Sequence, residues 1–582
     1  MKNPITLLII LVLSINTFAQ DNITWTNPVI GDILTGDFDP NSFMPGEIID
    51  NPETIAAALE ESMDPARLKL YLEEMSIFET RNTGSDTLST TRGIGAARSW
   101  AREKFQSFSD AEGGRMQVGY LQFDQNICSM SRHKNIVAVL PGIGAQYDES
   151  VLVEAHFDSR CDTPCDGDCE AHGMEDNGSG SALVLELSRI LSKYSFNRTI
   201  IFMLTVGEEQ GLHGAEAMSL WCQNNEVKLK AVFNNDIVGG VICGETASPP
   251  GCPSLNHIDS TNVRIYSRGV MNSPNKQLAR WIKLQYEEMI IPISDNVNTI
   301  NILTPEDRAG RGGDHIPFPS KGFHAVRFTS ANEHGDGGAD EDEAYHDRQH
   351  SSTDRLGLDT DGDTVLDSFF VNFNYLGRNA TINGIAIAMG ACGPVAPLDF
   401  ELEEISGGFK FTIEDPNDYG KYRIAIKEID GNEWLQLVDF DNKVDSIMGL
   451  TTGFYLVSAC TVDDMGVESF FSKEIFDNTV TTVHDLEIKK SKVYLMQNTP
   501  NPFDEATMIN IVIQEQFDYE SAIVRIHDLQ GRDIISYPLE LNVGLNEILY
   551  SHTNHKFAPG VYAYSLIIDG QIYDTKKMIY AY

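Results

Sequence analysis

Three strand-length apolar runs in this chain each end in acidic or imidazole side chains. "SVLVEAHFDS" at 150–159 delivers His156 and Asp158, "RTIIFMLTVGEE" at 198–209 delivers Glu208 and Glu209, and "KAVFNNDIVG" at 230–239 delivers Asp236. Near-continuous Val, Ile, Leu and Phe in pieces this short describe strands covered on both faces. Further runs of the same kind lie at 135–142, 263–269 and 324–332, and helical patterns such as "SGSALVLELSRILSKY" separate them. From Thr54 to Ser109 apolar residues recur at helical spacing, with Pro and Gly at the helix starts. The expected class is α/β, with a mostly parallel central sheet flanked by helices. In open sheets of this class, ligand sites gather beyond the carboxyl ends of the strands. The acidic and imidazole ends should therefore converge, with Asp176 of "GMEDNGSGSALVLE" on the same side at the start of a helix.

Imidazole and carboxylate without thiolate suit a hydrolytic zinc site, in which nitrogen and oxygen ligands hold the metal. Two adjacent ions would polarise an acyl group and turn water into a nucleophile at neutral pH, and a shared carboxylate would offset their mutual repulsion. This gives the Glu208–Glu209 pair a division of labour: one glutamate binds metal while its neighbour takes the proton. Each residue also has a plainer reading. Asp176 and the Gly-Ser-Gly after it fit a helix cap, Glu209 fits a solvated loop charge, and the "NND" ending in Asp236 fits an ordinary turn.

The order His156-x-Asp158-Ser159, Asp176-Asn-Gly-Ser-Gly180, Gly207-Glu-Glu-x-Gly211, Asp236 and His350-Ser-Ser-Thr-Asp354 resembles the di-zinc aminopeptidase family that includes the secreted bacterial leucyl aminopeptidases. The segment "DHIPFPSKGFHAV" at 314–326 is also similar to one those enzymes carry before the last ligand. The resemblance covers residues 55 to 395. It implies that Asp176 bridges two zinc ions, that His156 and Asp236 complete one position, and that Glu209 and His350 complete the other. It further implies Glu208 as general base and Asp158 as hydrogen-bond partner of the His156 ring.

The last ligand has rivals, because His315, His324, His334, His346 and His350 share one stretch; His350 is chosen because "HSSTD" matches the family pattern. His315, with Asp314 beside it, is read as lining the substrate side. "NEHGDGGADEDEAYHD" at 332–347 reads as an acidic loop. "DTDGD" at 359–363 matches half of a calcium loop but lacks the later glutamate, since position 370 is Phe; calcium is kept as a second candidate cofactor. No nucleophile elbow follows a strand, which speaks against a serine hydrolase. The leading function is removal of N-terminal residues from peptides. Three alternatives are carried: a carboxypeptidase using Arg308, Arg311 or Arg348 to hold a terminal carboxylate, a single-metal glutaminyl cyclase, and a non-catalytic binding platform.

The 582 residues divide into several domains. Residues 1–19 have the layout of a secretory signal peptide, too short in its apolar run to anchor the mature chain in a bilayer. An N-terminal extension follows at 20–50, then the peptidase region at 51–395, a β-sandwich at 396–480 resembling a fibronectin type III module, and a second β-sandwich at 490–582. The last resembles the C-terminal sorting domain of the type IX secretion pathway through Gln497 to Phe503, Ile526 to Arg532, Gly560 to Tyr562 and Lys576-Lys577. That resemblance implies partnership with the type IX machinery and a secreted or cell-surface destination. The nine cysteines of an exported chain should pair as disulfides where geometry allows, with Cys460 alone further on; a zinc knuckle of Cys161, Cys165 and Cys169 is the rival reading, and Cys243 with Cys252 is the easiest local pair. With 43 basic against 85 acidic side chains the net charge is -42, which opposes nucleic acid and anionic membranes as partners.

Overall fold

The computed structural model describes residues 21–582 except 245–251, 271, 309–310, 334–347, 406, 430, 451–452, 480–492, 504–505, 552–557 and 582. The signal peptide, nearly all of the acidic loop and the rival ligands His334 and His346 lie outside the described residues. Strand β1 (Asp21–Trp25) and helix α1 (Pro28–Leu34) open the chain, followed by α2 (Pro52–Ser62), α3 (Pro65–Ser76), α4 (Gly93–Ala111), β2 (Gln117–Ile127), β3 (Met130–Leu140) and β4 (Glu149–His156). Then come α5 (Gly180–Leu191), β5 (Thr199–Thr205), α6 (His213–Asn224), β6 (Lys228–Asn235), β7 (Asn262–Ser267), α7 (Pro274–Met289), β8 (Thr299–Ile302), β9 (Ala325–Ser330), the short pair β10 (Gly357–Leu358) and β11 (Ser368–Phe369), and α8 (Phe373–Cys392).

Local chemistry accounts for several helix starts. Asn51, Asp64 and Ser273 cap α2, α3 and α7 by accepting backbone N–H groups, and a proline sits in the first turn of each, where its missing donor costs nothing. In the sheet, β5 and β9 are buried at every position and β4 at all but its first. Helices α4, α5, α7 and α8 pack side by side against it, and α1 and α6 pack near β2 and β3.

The nine strands run in the order β1-β2-β3-β5-β4-β6-β9-β7-β8. The expected mostly parallel sheet is mixed instead. β5, β4, β6 and β9 form a parallel block, as do β7 and β8, while β1–β2, β2–β3, β3–β5 and β7–β9 are antiparallel. The reason is that β2 and β3 join as a hairpin through a tight turn at Cys128-Ser129 and need no crossover. Residues 21–50, set apart in the sequence as an extension, belong to this unit: β1 is its edge strand, and Ile30, Ile33 and Leu34 enter its core.

Beyond α8 the chain forms two antiparallel units. The first holds β12 (Asp399–Ile405), β13 (Gly408–Glu414), β14 (Tyr422–Glu428), β15 (Gln436–Phe440), β16 (Val444–Met448), β17 (Gly453–Thr461) and β18 (Ile475–Thr479), in sheets β12-β13-β16 and β15-β14-β17-β18. The second holds β19 (Val493–Leu495), β20 (Ala506–Ile513), β21 (Ala522–Asp528), β22 (Asp533–Leu539), β23 (Gly544–Ser551), β24 (Gly560–Ile568) and β25 (Gln571–Tyr580), with the same strand order in each layer. Each has its own apolar core.

The first sandwich is joined to α7 by buried polar contacts. Arg280 pairs with Glu474 at 2.6 Å with both side chains nearly inaccessible, Gln285 donates to Glu468 at 2.6 Å, and Trp281 meets Phe470 at 4.6 Å between ring centroids. Removing one partner of a buried ion pair takes compensation away from the charge that stays buried. Glu474→Ala should therefore cost about 3–5 kcal/mol in denaturant unfolding, and an apolar replacement of both Arg280 and Glu474 should recover most of it.

Candidate metal centre

Parallel β4, β5 and β6 direct their carboxyl ends to one side, and the acidic and imidazole residues meet there. His156 Nε2 lies 3.0 Å from Asp176 Oδ1 and 3.4 Å from Asp236 Oδ1. His350 Nε2 lies 3.3 Å from Asp176 Oδ2 and 3.1 Å from Glu209 Oε2. His156, Asp176 and Asp236 thus form one donor group, and Asp176, Glu209 and His350 a second; in each, the ligand atoms lie within 4.8 Å of one another. Asp176 belongs to both, one oxygen turned to each. Glu208 joins His156 and Glu209 in a third group of the same span, so its carboxylate stands beside the two positions.

The loops around this centre are held by their backbones. Gly180, the first residue of α5, packs so closely on β6 that a Cβ there would meet Asn235 O at 2.4 Å. Asn177 locks the same junction, donating to Asn235 O at 2.7 Å and accepting from Gly180 N at 2.9 Å. Asp354, the last residue of the "HSSTD" motif, accepts the backbone N–H groups of Glu175 and Asp176, both at 2.9 Å. Gly207, at φ 77°, turns the chain just after β5 and immediately before Glu208 and Glu209.

Asp158 departs from its expected role. The His156 Nδ1 contact is to the backbone carbonyl of Asp158 at 3.1 Å, and its carboxylate lies 3.8 Å from that ring nitrogen. The carboxylate instead accepts the backbone N–H groups of Glu208 and Glu209, each at 3.3 Å, and the Thr83 hydroxyl at 3.1 Å. Two residues beyond the histidine, the carbonyl reaches the ring while the buried side chain is drawn to the unpaired donors of the next turn. Asp158 therefore sets the orientation of the paired glutamates.

His315 and Asp314 are likewise placed differently from the expectation that they line the substrate side. Both are fully buried: His315 meets Glu306 O at 3.0 Å, and Asp314 is bonded to the Thr205 hydroxyl behind the centre. Arg308 is buried in ion pairs with Glu333 and Asp307, Arg311 donates to Gln349, and Arg348 donates to Thr353 O at 2.8 Å. The cations kept for a terminal carboxylate are thus engaged within the protein. Sequence reading missed Arg160, whose Nε lies 2.9 Å from Glu209 Oε2, and Gln349, which donates to Asp176 Oδ2 at 3.0 Å. The residue beside a recognised histidine was the available signal for Gln349; for Arg160 there was none.

The electrostatics show a crowd of carboxylates in need of positive charge. Burial raises Glu208 well above the ordinary carboxylate range, and Asp236 and Glu209 add to this against the pull of His156. Burial alone would lower His156, yet Glu208 and Asp236 raise it well above the usual histidine value; His350 is pushed up to about 9 by Asp176 and Glu209 against its own burial. Glu209 Oε1 is buried without a hydrogen-bond partner. That open acceptor beside imidazole and carboxylate fits a divalent cation in the Asp176–Glu209–His350 group, and the same donor types in the His156–Asp176–Asp236 group suit one there. Elsewhere, Asp359, Asp361 and Asp367 also approach within 4.8 Å, with Asp359 accepting from Gly362 N and Thr364 N.

The cysteine readings divide. Cys128–Cys165, Cys161–Cys169 and Cys243–Cys252 are disulfides, so the zinc-knuckle alternative falls, while Cys222, Cys392 and Cys460 are free and buried. The first two bridges tie the loop after Arg160 beside the centre.

The model of peptidase family M28 matches residues 135–245, the stretch that carries His156, Asp176, Glu208, Glu209 and Asp236. A probable zinc metalloprotease of Pyricularia oryzae is 33% identical over 365 residues, covering 59% of this chain and 68% of the relative. Another, of Pyrenophora tritici-repentis, is 30% identical over 392 residues, covering 64% and 85%. The chain belongs to peptidase family M28. Among solved structures, the Legionella pneumophila LapA aminopeptidase overlaps 59% of this M28 peptidase and 75% of its own chain, at 18% identity and a TM-score of 0.42.

Proposed function

We propose that this M28 peptidase is an exported zinc aminopeptidase with two metal positions. The carrying observation is Asp176, whose two oxygens face the two histidines of separate donor groups while Glu208 stands beside both. His156 and Asp236 would hold one zinc, Glu209 and His350 the other, and Asp176 both. Zinc bound there would polarise the scissile carbonyl and acidify the attacking water. Glu208 takes the proton from that water and returns it to the leaving amine. Asp158, through the backbone N–H groups of Glu208 and Glu209, keeps the base aimed at the reacting atoms while its neighbour remains a ligand.

Two features support release from the amino end. The carboxylate-rich centre favours a substrate amine, and the arginines considered for a terminal carboxylate are engaged in contacts inside the protein. Export is our reading of the N-terminal segment, the three disulfides and the motifs of the last sandwich, which together support the type IX route. The antiparallel two-layer arrangement of the first sandwich, three strands against four, is compatible with the fibronectin type III reading.

A peptide digest read by mass spectrometry tests the activity. Peptides with free amino ends should lose residues successively from that end, and a chelator should stop the loss. Cleavage of an N-acetylated peptide with a free carboxylate would overturn the aminopeptidase reading in favour of a carboxypeptidase. Loss of ammonia from N-terminal glutamine without chain cleavage would favour a cyclase.

A further inference from the structure

Arg327 lies on β9, behind the centre, and takes no part in the hydrolytic step above. It is fully buried. Its Nη2 stands 2.8 Å from Asp236 Oδ2, while Nη1 lies 2.9 and 2.8 Å from the two oxygens of Asp307 and 2.9 Å from Gly312 O. The register of the parallel pair β6–β9 fixes this meeting: Asn235 is opposite Phe328, and Asp236 N donates to Phe328 O at 3.2 Å. A buried guanidinium persists only when paired and hydrogen-bonded, and Asp307 supplies a dedicated counter-charge. Asp236 is then a second carboxylate on a cation that Asp307 already anchors.

The two oxygens of Asp236 consequently have different tasks. Oδ2 is ion-paired with Arg327, without a hydrogen bond between them, and Oδ1 faces His156 at 3.4 Å. A carboxylate paired in this way presents its other oxygen to a metal with part of its charge already drawn away. Neither Glu209 nor His350 is within ion-pair or hydrogen-bond contact of Arg327 among the described contacts, so the influence is one-sided.

Building on the two-metal reading, we propose that Arg327, anchored by Asp307, is a positioning residue that confines Asp236 to single-oxygen ligation and so sets the metal affinity of the His156–Asp176–Asp236 position separately from that of the Asp176–Glu209–His350 position. Partners behind a ligand commonly alter metal affinity 10–100-fold on removal. Lysine keeps the charge but loses the fork that spans two carboxylates.

The test is zinc titration of the full chain against a chromophoric chelator, with thermal unfolding of the metal-free forms as a check on folding. In a His350→Ala background, which leaves the first position to be read alone, Arg327→Lys should shift zinc affinity by about 10–100-fold. In a His156→Ala background the same change should leave affinity where it was. Asp307→Asn is the second variant should Arg327→Lys not fold, and it should shift the same position in the same backgrounds. Unchanged affinity in the His350→Ala background, or equal shifts in both backgrounds, would overturn the inference while leaving the two-metal reading intact. An unsubstituted chain that takes up no zinc would remove the functional reading and this inference with it.

Discussion

Glu208→Gln should take up as much zinc as the unsubstituted chain and lose about 10²–10⁴-fold in kcat, the usual contribution of a positioned acid or base. The amide keeps the shape of the side chain and the backbone bonds that Asp158 makes to the turn, so the loss falls on proton transfer alone. The five ligand side chains of the reading are untouched. Steady-state rates on an aminoacyl substrate, paired with metal analysis, decide the matter. Parental turnover in the variant would remove Glu208 from the chemistry, and loss of metal would recast it as a ligand.

Asp176→Asn should be more damaging to metal than to fold. Asp176 alone is shared by both donor groups, with oxygens 3.0 Å from His156 Nε2 and 3.3 Å from His350 Nε2. An amide halves the acceptor capacity and removes the charge, so both positions weaken together and activity falls below detection. Zinc binding to the native state adds stability by mass action, about 4.1 kcal/mol for a site at 1,000 times its Kd. The unsubstituted chain should therefore unfold at higher temperature with zinc, and the variant should show little change. A variant that still bound zinc stoichiometrically, with an undiminished rise in unfolding temperature, would show that Asp176 is not the shared ligand.

Four of the residues of the centre that were legible in the sequence share one physical origin. His156, Glu208, Glu209 and Asp236 follow strands whose unbroken apolar texture marks them as interior, and a parallel block brings their ends to one side. The strands that were missed have a different texture. β2, "QVGYLQFDQNI", alternates apolar and polar residues with one face open, and β1 is a short edge strand, so neither carried the signal of a covered strand. Side-chain detail failed for another reason. The Asp158 carboxylate could go to the ring or to the next turn, and only the position of Glu208 N and Glu209 N, some fifty residues on, decides between them. Arg327 and Arg160 were silent because their partners are distant in sequence, and an isolated arginine carries no sign of a buried counter-charge.

The hairpin of β2 and β3 also fixes something chemical. Cys128 sits in its turn and reaches across to Cys165, while Cys161 and Cys169 close a smaller ring directly after Arg160. The loop beside the centre is therefore tied to the scaffold by two covalent bridges, in addition to the hydrogen bonds that Asn82 and Gln210 donate to Pro164 O. Kept where thiols stay reduced, the chain would lack these two bridges, so completion of the loop beside the centre depends on an oxidising environment.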